Sequence, residues 1–207
     1  MSNRVRRRGV CLVVAAPSGA GKSSITRALL SSETELELSV SATTRTPRHG
    51  ERDGVHYHFR TPEQFAVMVA QGAMLEWASV FGNSYGTPRG PVEAALAAGR
   101  DVVFDIDWQG HHQLRAALPE DVVSVFILPP SVSALEHRLR RRGGDDEAEI
   151  ARRMQAARDE ISHWSEFDHV VINRTLEEAI SSVRGVLYAA RCARARQPGL
   201  AAFVAAL

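Results

Sequence analysis

Four short runs of apolar and largely β-branched residues, at 10–16, 101–106, 122–128 and 169–172, punctuate the chain. They hardly alternate with polar residues, as expected of strands buried on both faces. Amphipathic stretches with helix-start signals separate them. Thr61-Pro62-Glu63-Gln64 supplies a cap, a proline at the first helical position and a capping-box glutamine; Ser133 with Glu136 and Thr175 with Glu178 repeat the device. A further helix is predicted over 24–30. Strands alternating with helices imply right-handed crossovers and a parallel sheet flanked by helices, an α/β fold. From 39 to 87 the alternation breaks into glycines, Thr-Pro turns, tyrosines and a short alternating segment, Val55-His56-Tyr57-His58-Phe59. This predicts a small, partly antiparallel lobe inserted into the sheet domain. A second break runs from Arg138 to Asp146, where a basic helix end meets Gly143-Gly144 and an acidic cluster, the pattern of a mobile cover or hinge. The last seven residues, from Ala201 to Leu207, either fray or pack on a partner.

Composition narrows the class. A chain of 207 residues with 44% hydrophobic and 24% charged side chains is an ordinary globular domain, not a fibrous repeat or a disordered tail. A net charge of +1 lacks the basic footprint of a duplex-DNA binder, so no nucleic-acid partner is expected. No stretch approaches the ~20 apolar residues of a membrane span. Arg4 to Arg8 ahead of the first apolar run resembles a short signal peptide, but that run feeds directly into a glycine-rich loop that cleavage would destroy. A cytoplasmic setting is expected, with the arginine run as a solvated tail. Two cysteines without a CxxC or Cys/His cluster fit a reducing compartment, Cys11 being a small buried hydrophobe. His56 with His58, and His111 with His112, lack a third ligand at zinc spacing and read as solvated or core side chains. Trp77, Trp108 and Trp164 read as core or pocket walls. A homo-oligomer is compatible with the sequence.

The chemistry is concentrated first in Ala16-Pro17-Ser18-Gly19-Ala20-Gly21-Lys22-Ser23-Ser24. The segment follows a predicted strand and opens a predicted helix, the context in which a P-loop has meaning. Its glycines let successive backbone N–H groups turn inward around the phosphates of a nucleoside triphosphate, and the helix N-terminus adds positive potential. Lys22 supplies a point charge and Ser23 a hydroxyl for Mg²⁺. The first position, usually glycine, is Ala16.

A second set of strings carries a resemblance. Ser39-Val-Ser-Ala-Thr-Thr-Arg-Thr-Pro-Arg48-His-Gly-Glu-Arg-Asp-Gly-Val-His-Tyr57, Leu75-Glu76-Trp77, Asn83-Ser-Tyr85-Gly-Thr87, Asp105-Ile-Asp107-Trp-Gln109-Gly110 and Ile127-Leu-Pro-Pro-Ser131, in order from the P-loop to about Asn173, strongly resemble the guanylate kinase family. The resemblance implies transfer of the γ-phosphoryl group of ATP to GMP, and to dGMP, with Mg²⁺. It assigns the GMP phosphate to Ser41, Arg45, Arg48, Tyr57 and Tyr85. The guanine goes to Glu76, helped by Thr87 and Asp107. Arginines and tyrosines of this kind can clamp a dianion by charge-assisted hydrogen bonds, and one carboxylate can read the paired N–H donors of guanine. Asp105, at a strand end near the P-loop, acts with Ser23 on Mg²⁺ and its waters. Arg138, Arg142 and Arg153 are implied to close over the phosphates of both nucleotides; Gly144 and Asp146 depart locally from the family pattern.

The expected layout is one domain. Residues 1–40, 89–130 and 160–207 form the core, 41–88 the GMP-binding lobe and 131–159 the lid. Two other readings stand beside it: a kinase of similar architecture with a different acceptor, and a guanylate-kinase-like module that binds a phosphorylated partner without catalysis.

Overall fold

The computed structural model describes residues 5–80, 82–141 and 146–207. Strand β1 (Cys11–Ala15) leads to helix α1 (Lys22–Ser32) and the short strand β2 (Leu36–Leu38). The lobe follows, with β3 (Ala42–Thr43), β4 (His58–Phe59), helix α2 (Pro62–Ala70), β5 (Met74–Val80) and β6 (Asn83–Pro88). Helix α3 (Arg89–Ala97) returns the chain to β7 (Asp101–Phe104), then α4 (Trp108–Ala117) and β8 (Val122–Leu128). A helix pair, α5 (Val132–Arg141) and α6 (Glu147–Ser162), precedes β9 (His169–Ile172), α7 (Leu176–Cys192) and α8 (Leu200–Ala205).

Five strands form a parallel sheet in the order β2-β7-β1-β8-β9. β1 is central and buried throughout. Val10, Leu12 and Val14 pack with α1 and α7 on one face, while Cys11, Val13 and Ala15 pack with α3 and α4 on the other. An unalternating sequence is what two apolar faces require, and each large side chain so buried contributes about 2 kcal/mol. The lobe is a four-stranded mixed sheet, β4-β3-β6-β5, whose small core is Ala42, Phe65 and Met74. The expected α/β fold with an inserted mixed-β lobe is therefore present.

Several local expectations change. The alternating segment 55–59 is mostly a turn: His58–Phe59 pairs with β3, Tyr57 makes an isolated bridge to Asp53, and Gly54 takes a positive φ of 73°. There His56 Nδ1 accepts the Arg52 N–H at 3.0 Å, so turn chemistry overrides the alternation. The cap of α5 is Ser131, whose hydroxyl accepts the Ala134 N–H at 3.0 Å; Ser133 instead pairs with the Ser131 hydroxyl. Thr61 and Thr175 cap as predicted. Trp77 and Trp164 are exposed rather than core, whereas Trp108 stacks on His163 with ring centroids 3.7 Å apart. The final helix α8 sits beside the N-terminal arm, where Gly199 N–H donates to the Arg6 carbonyl.

The arginine run is not a solvated tail. Arg7 grips the fully buried Asp101 through both carboxylate oxygens, at 2.6 and 3.0 Å, and Arg191 reaches the same carboxylate at 2.7 Å. Arg8 holds the buried Asp121 at 2.7 and 2.6 Å. Both aspartates lie where strands begin, and a buried carboxylate persists only when paired and hydrogen-bonded. Arg4 lies outside the described residues. Arg140 joins Glu136 of its own helix to Glu147 of α6.

His111 on α4 is buried against Phe167, with Nε2 accepting from Arg115 and no partner for Nδ1 among the described residues. Burial, aided by the Arg115 and His112 charges, pushes its pKa from 6.5 down to about 4. The folded chain keeps the ring neutral while the unfolded chain protonates it near 6.5. Its contribution is therefore complete above that pH and is lost as pH falls toward 4. The loss of melting temperature between pH 6.5 and 4.5 should shrink by about 5 °C in His111→Leu, measured by calorimetry; equal slopes in the two proteins would refute this account.

Candidate active site

The carboxyl end of β1 runs into the loop 16–21 and then α1, so the predicted P-loop lies where ligands bind in open parallel sheets. Gly19 and Gly21 adopt φ of 91° and 103°, which L side chains rarely reach. Both are also tightly enclosed. A Cβ on Gly19 would sit 3.0 Å from Leu135 and 3.1 Å from Leu139, and one on Gly21 only 2.4 Å from Asn173 Nδ2. The loop is held from behind: Asn173 Nδ2 donates to the Ala20 carbonyl at 2.7 Å, and Ala20 N–H closes a turn onto Pro17. Ala16 packs against the core, so the missing consensus glycine is accommodated. As N-cap of α1, Gly21 offers no side chain, and no acidic residue stands in the first turn. Electrostatics at this helix start favours an anion.

A cavity of about 310 Å³ is lined by the loop, Lys22, Ser23, Asp105 and Glu160. Lys22 forms an ion pair with Asp105, which follows β7, the neighbour of β1. Ser24 N–H is used within the helix start, donating to Gly21 O. Arg138 of α5 reaches the Ala20 carbonyl at 3.4 Å and that of Asn173 at 3.2 Å, so it stands at the loop. Arg153 of α6 donates to Glu149 at 3.1 Å, and hydrogen bonds from Arg152 and Arg153 hold the Glu149 carboxyl down at about 2. Arg142 lies outside the described residues, as do Gly143, Gly144 and Asp145.

The second cluster is in the lobe. Arg45 Nη2 donates to both oxygens of Glu51, at 2.8 and 3.0 Å, and its guanidinium lies 5.3 Å from the Tyr57 ring centroid. Tyr57 meets Tyr85 edge-on at 6.1 Å, and Glu51 chiefly, with Tyr85 beside it, raises the Arg45 pKa. Arg48 joins through its backbone, donating N–H to Glu51 at 2.7 Å, while its side chain is exposed. Ser41 precedes β3, half-buried, its carbonyl accepting the His58 N–H. The Arg45 hydrogen bond and the Arg48 amide hold the Glu51 carboxyl down at about 2.

Between the two clusters stands Glu76 of β5. It is 7% exposed and accepts the Thr87 hydroxyl of β6 at 2.6 Å. Burial and the nearby Asp107 charge push its pKa up, against the Thr87 bond. Its other oxygen lies beside Gly110 on α4, 3.3 Å from where a Cβ would stand. Asp107 caps that helix, accepting the Gly110 N–H at 2.9 Å. Gln113 of α4 completes the docking, exchanging hydrogen bonds with both backbone groups of Trp77. Residues 105–107 therefore join the P-loop, through Lys22, to the Glu76 pocket.

Two residues escaped sequence reasoning. Glu51 stands inside a quoted string but had no pattern to mark it beyond a carboxylate between two arginines. Glu160 bonds the Ser18 N–H at 3.2 Å across 142 positions, with no local signal at all. The donors beside the loop, the exposed Ser23 hydroxyl and the Asp105 carboxylate, are hard oxygens. No group of three or more His, Cys, Asp or Glu among the described residues could cage a metal. Such a donor set fits a Mg²⁺ ion held chiefly by phosphates and water.

Comparison with known proteins places this geometry. The family model described as "Guanylate kinase" matches residues 8–190. A guanylate kinase of Gluconobacter oxydans is 65% identical over 199 residues, covering 96% of each chain. One from Granulibacter bethesdensis is 63% identical, covering 92% of this chain and 89% of its own. The crystal structure of a guanylate kinase from Anaplasma phagocytophilum superposes with a TM-score of 0.74 at 35% identity, over 98% of this chain and 96% of that one. The family match spans the P-loop, the lobe and the Glu76 carboxylate, and the protein belongs to the guanylate kinase family.

Proposed function

We propose that this chain transfers the γ-phosphoryl group of ATP to GMP, giving ADP and GDP, and accepts dGMP as well. One observation carries the acceptor assignment: a buried carboxylate, Glu76, stands at the junction of lobe and core, linked through residues 105–107 to the P-loop. Guanine offers N1–H and an exocyclic amine to one carboxylate, where adenine presents an acceptor. A reader of this kind leaves buried groups unpaired when the base is wrong. A sugar phosphate lacks the planar edge of adjacent N–H donors that guanine presents to one carboxylate, and an interaction module has no use for the tightly enclosed P-loop glycines.

In this reading, residues 16–24 hold the ATP phosphates, with Lys22 on the transferring group. Ser41, Arg45, Arg48, Tyr57 and Tyr85 hold the GMP phosphate. Glu76, Thr87 and Asp107 read the base. The lobe 41–88 carries the acceptor, and the segment 131–159 closes over both nucleotides with Arg138, Arg142 and Arg153. Ser23 and Asp105 hold the Mg²⁺ site, partly through water. When bound, Mg²⁺ neutralises charge on the β- and γ-phosphates.

The attacking oxygen belongs to the GMP phosphate and is already anionic at neutral pH, so no general base is required. The chain's task is to bring two polyanions into line and spread their charge over Lys22, the loop amides and the arginines. Closure excludes water, which would otherwise hydrolyse ATP. Both substrates are intracellular metabolites, which suits a cytoplasmic setting. No helix among the described residues is long and apolar enough to cross a membrane.

ADP formation with ATP, Mg²⁺ and a panel of GMP, dGMP, AMP, CMP and UMP tests the assignment. Turnover is expected with the two guanine nucleotides alone. Glu76→Gln should lower kcat/KM for GMP by about a hundredfold or more and erase discrimination against AMP; retained discrimination would remove Glu76 as the reader. Lys22→Met should reduce kcat by about a hundredfold or more, and a wild-type rate would sink the transfer reading. Glu51→Gln should raise KM for GMP by about tenfold with KM for ATP unchanged, because Arg45 and the Arg48 loop lose their charged brace. An equal rise in both constants would mean that Glu51 acts on the fold at large.

A further inference from the structure

Two internal carboxylates occupy the positive features of the phosphate cradle. Asp105 takes Lys22, and Glu160 takes the Ser18 N–H at 3.2 Å. Glu160 is the less expected, because nothing in the phosphotransfer reading needs an anion there. It belongs to the last turn of α6 and is positioned rigidly. Ala157, Met154 and Ile161 on the same helix pack against Leu135 and Leu139 of α5, and those leucines enclose Gly19 of the loop. The carboxylate is partly buried and lines the same 310 Å³ cavity as Lys22 and Ser23. Burial pushes its pKa up, while the Ser18 amide and the Lys22 charge favour the ionised form.

A phosphate entering this cavity meets a like charge already hydrogen-bonded to the loop. Within a few ångströms, in a partly desolvated cleft, two anions repel more strongly than in bulk water. We infer that Glu160 is a stand-in anion: it satisfies the Ser18 amide while the cradle holds no phosphate and must give way when a nucleotide polyphosphate arrives. The polyphosphate therefore binds less tightly than the loop itself would allow. The same competition favours departure of the spent nucleotide, since the carboxylate is ready to retake the amide. The inference rests on the reading that the P-loop takes ATP phosphates.

The test is binding, measured by calorimetry in EDTA so that no divalent ion bridges carboxylate and phosphate. The probes are ATP, inorganic tripolyphosphate and GMP. In Glu160→Gln, which keeps the shape and an acceptor oxygen but removes the charge, ATP and tripolyphosphate should both bind about three- to tenfold more tightly. GMP affinity should be unchanged, which also reports that the variant is folded. Glu160→Ala should move the polyphosphates in the same direction. Unchanged or weaker polyphosphate binding in both variants overturns the inference, and so does a gain for ATP that tripolyphosphate does not share. The P-loop reading is tested separately by Lys22→Met: if that change leaves ATP and tripolyphosphate binding intact, the reading falls whatever Glu160 does.

Discussion

Direct parallel pairing of β1 with β7 is the constraint on which the site depends. Val13 lies opposite Phe104, so the loop that follows β1 and the residues that follow β7 emerge side by side. Lys22 and Asp105 meet because of that register, not because of any local turn. Two residues further on, Asp107 caps α4 and lies near the Glu76 carboxylate of the lobe. A slip in the pairing would separate the phosphate cradle from the base pocket and also turn β1 over, exchanging its two buried faces.

Opposite charges are distributed between the two ends of the sheet. At the strand starts, Asp101 and Asp121 are neutralised by Arg7, Arg8, Arg191 and Arg196, and the network extends through Arg7 and Arg191 to Glu35 and Glu33. At the strand ends the charges face a cavity, and their pairings are of a kind that a ligand can replace. Burying charge in the first place costs stability unless every partner is present. In the second, Lys22 and the Ser18 N–H are each paired with a carboxylate, Asp105 and Glu160, that lines the same cavity.

Much of the architecture is legible along the chain, for physical reasons. A strand covered on both faces must be apolar at every position, so β1, β7 and β8 stand out; β9 is equally apolar in sequence but is an edge strand with Val170 and Ile172 exposed, not the doubly buried strand its pattern predicts. The P-loop is contiguous, and its glycines are required by backbone conformation as well as by space. What escapes is whatever depends on distant partners or on competition between local preferences. Arg7 and Asp101 are 94 positions apart, so a run of arginines resembles a tail until the fold supplies buried carboxylates. The segment 55–59 has the periodicity of a strand, but Gly54 and the Arg52–His56 bond favour a turn. Ser131 and Ser133 are both of a residue type that caps helices, and the fold gives the Ala134 N–H to the Ser131 hydroxyl. Of the site residues, Glu76, Arg45 and Tyr57 are found through family strings, whereas Glu160 lies on a helix whose pattern reports only its apolar stripe.

The inserted lobe has its own small core around Phe65 and rests on α4 through Gln113 and the Glu76 pocket, while the P-loop is built wholly from the parent sheet. On the proposed reading, donor and acceptor chemistry therefore occupy separately packed pieces of one chain. On that reading the kinase is an engine in the parent sheet that carries its reader on a separate, self-packed lobe.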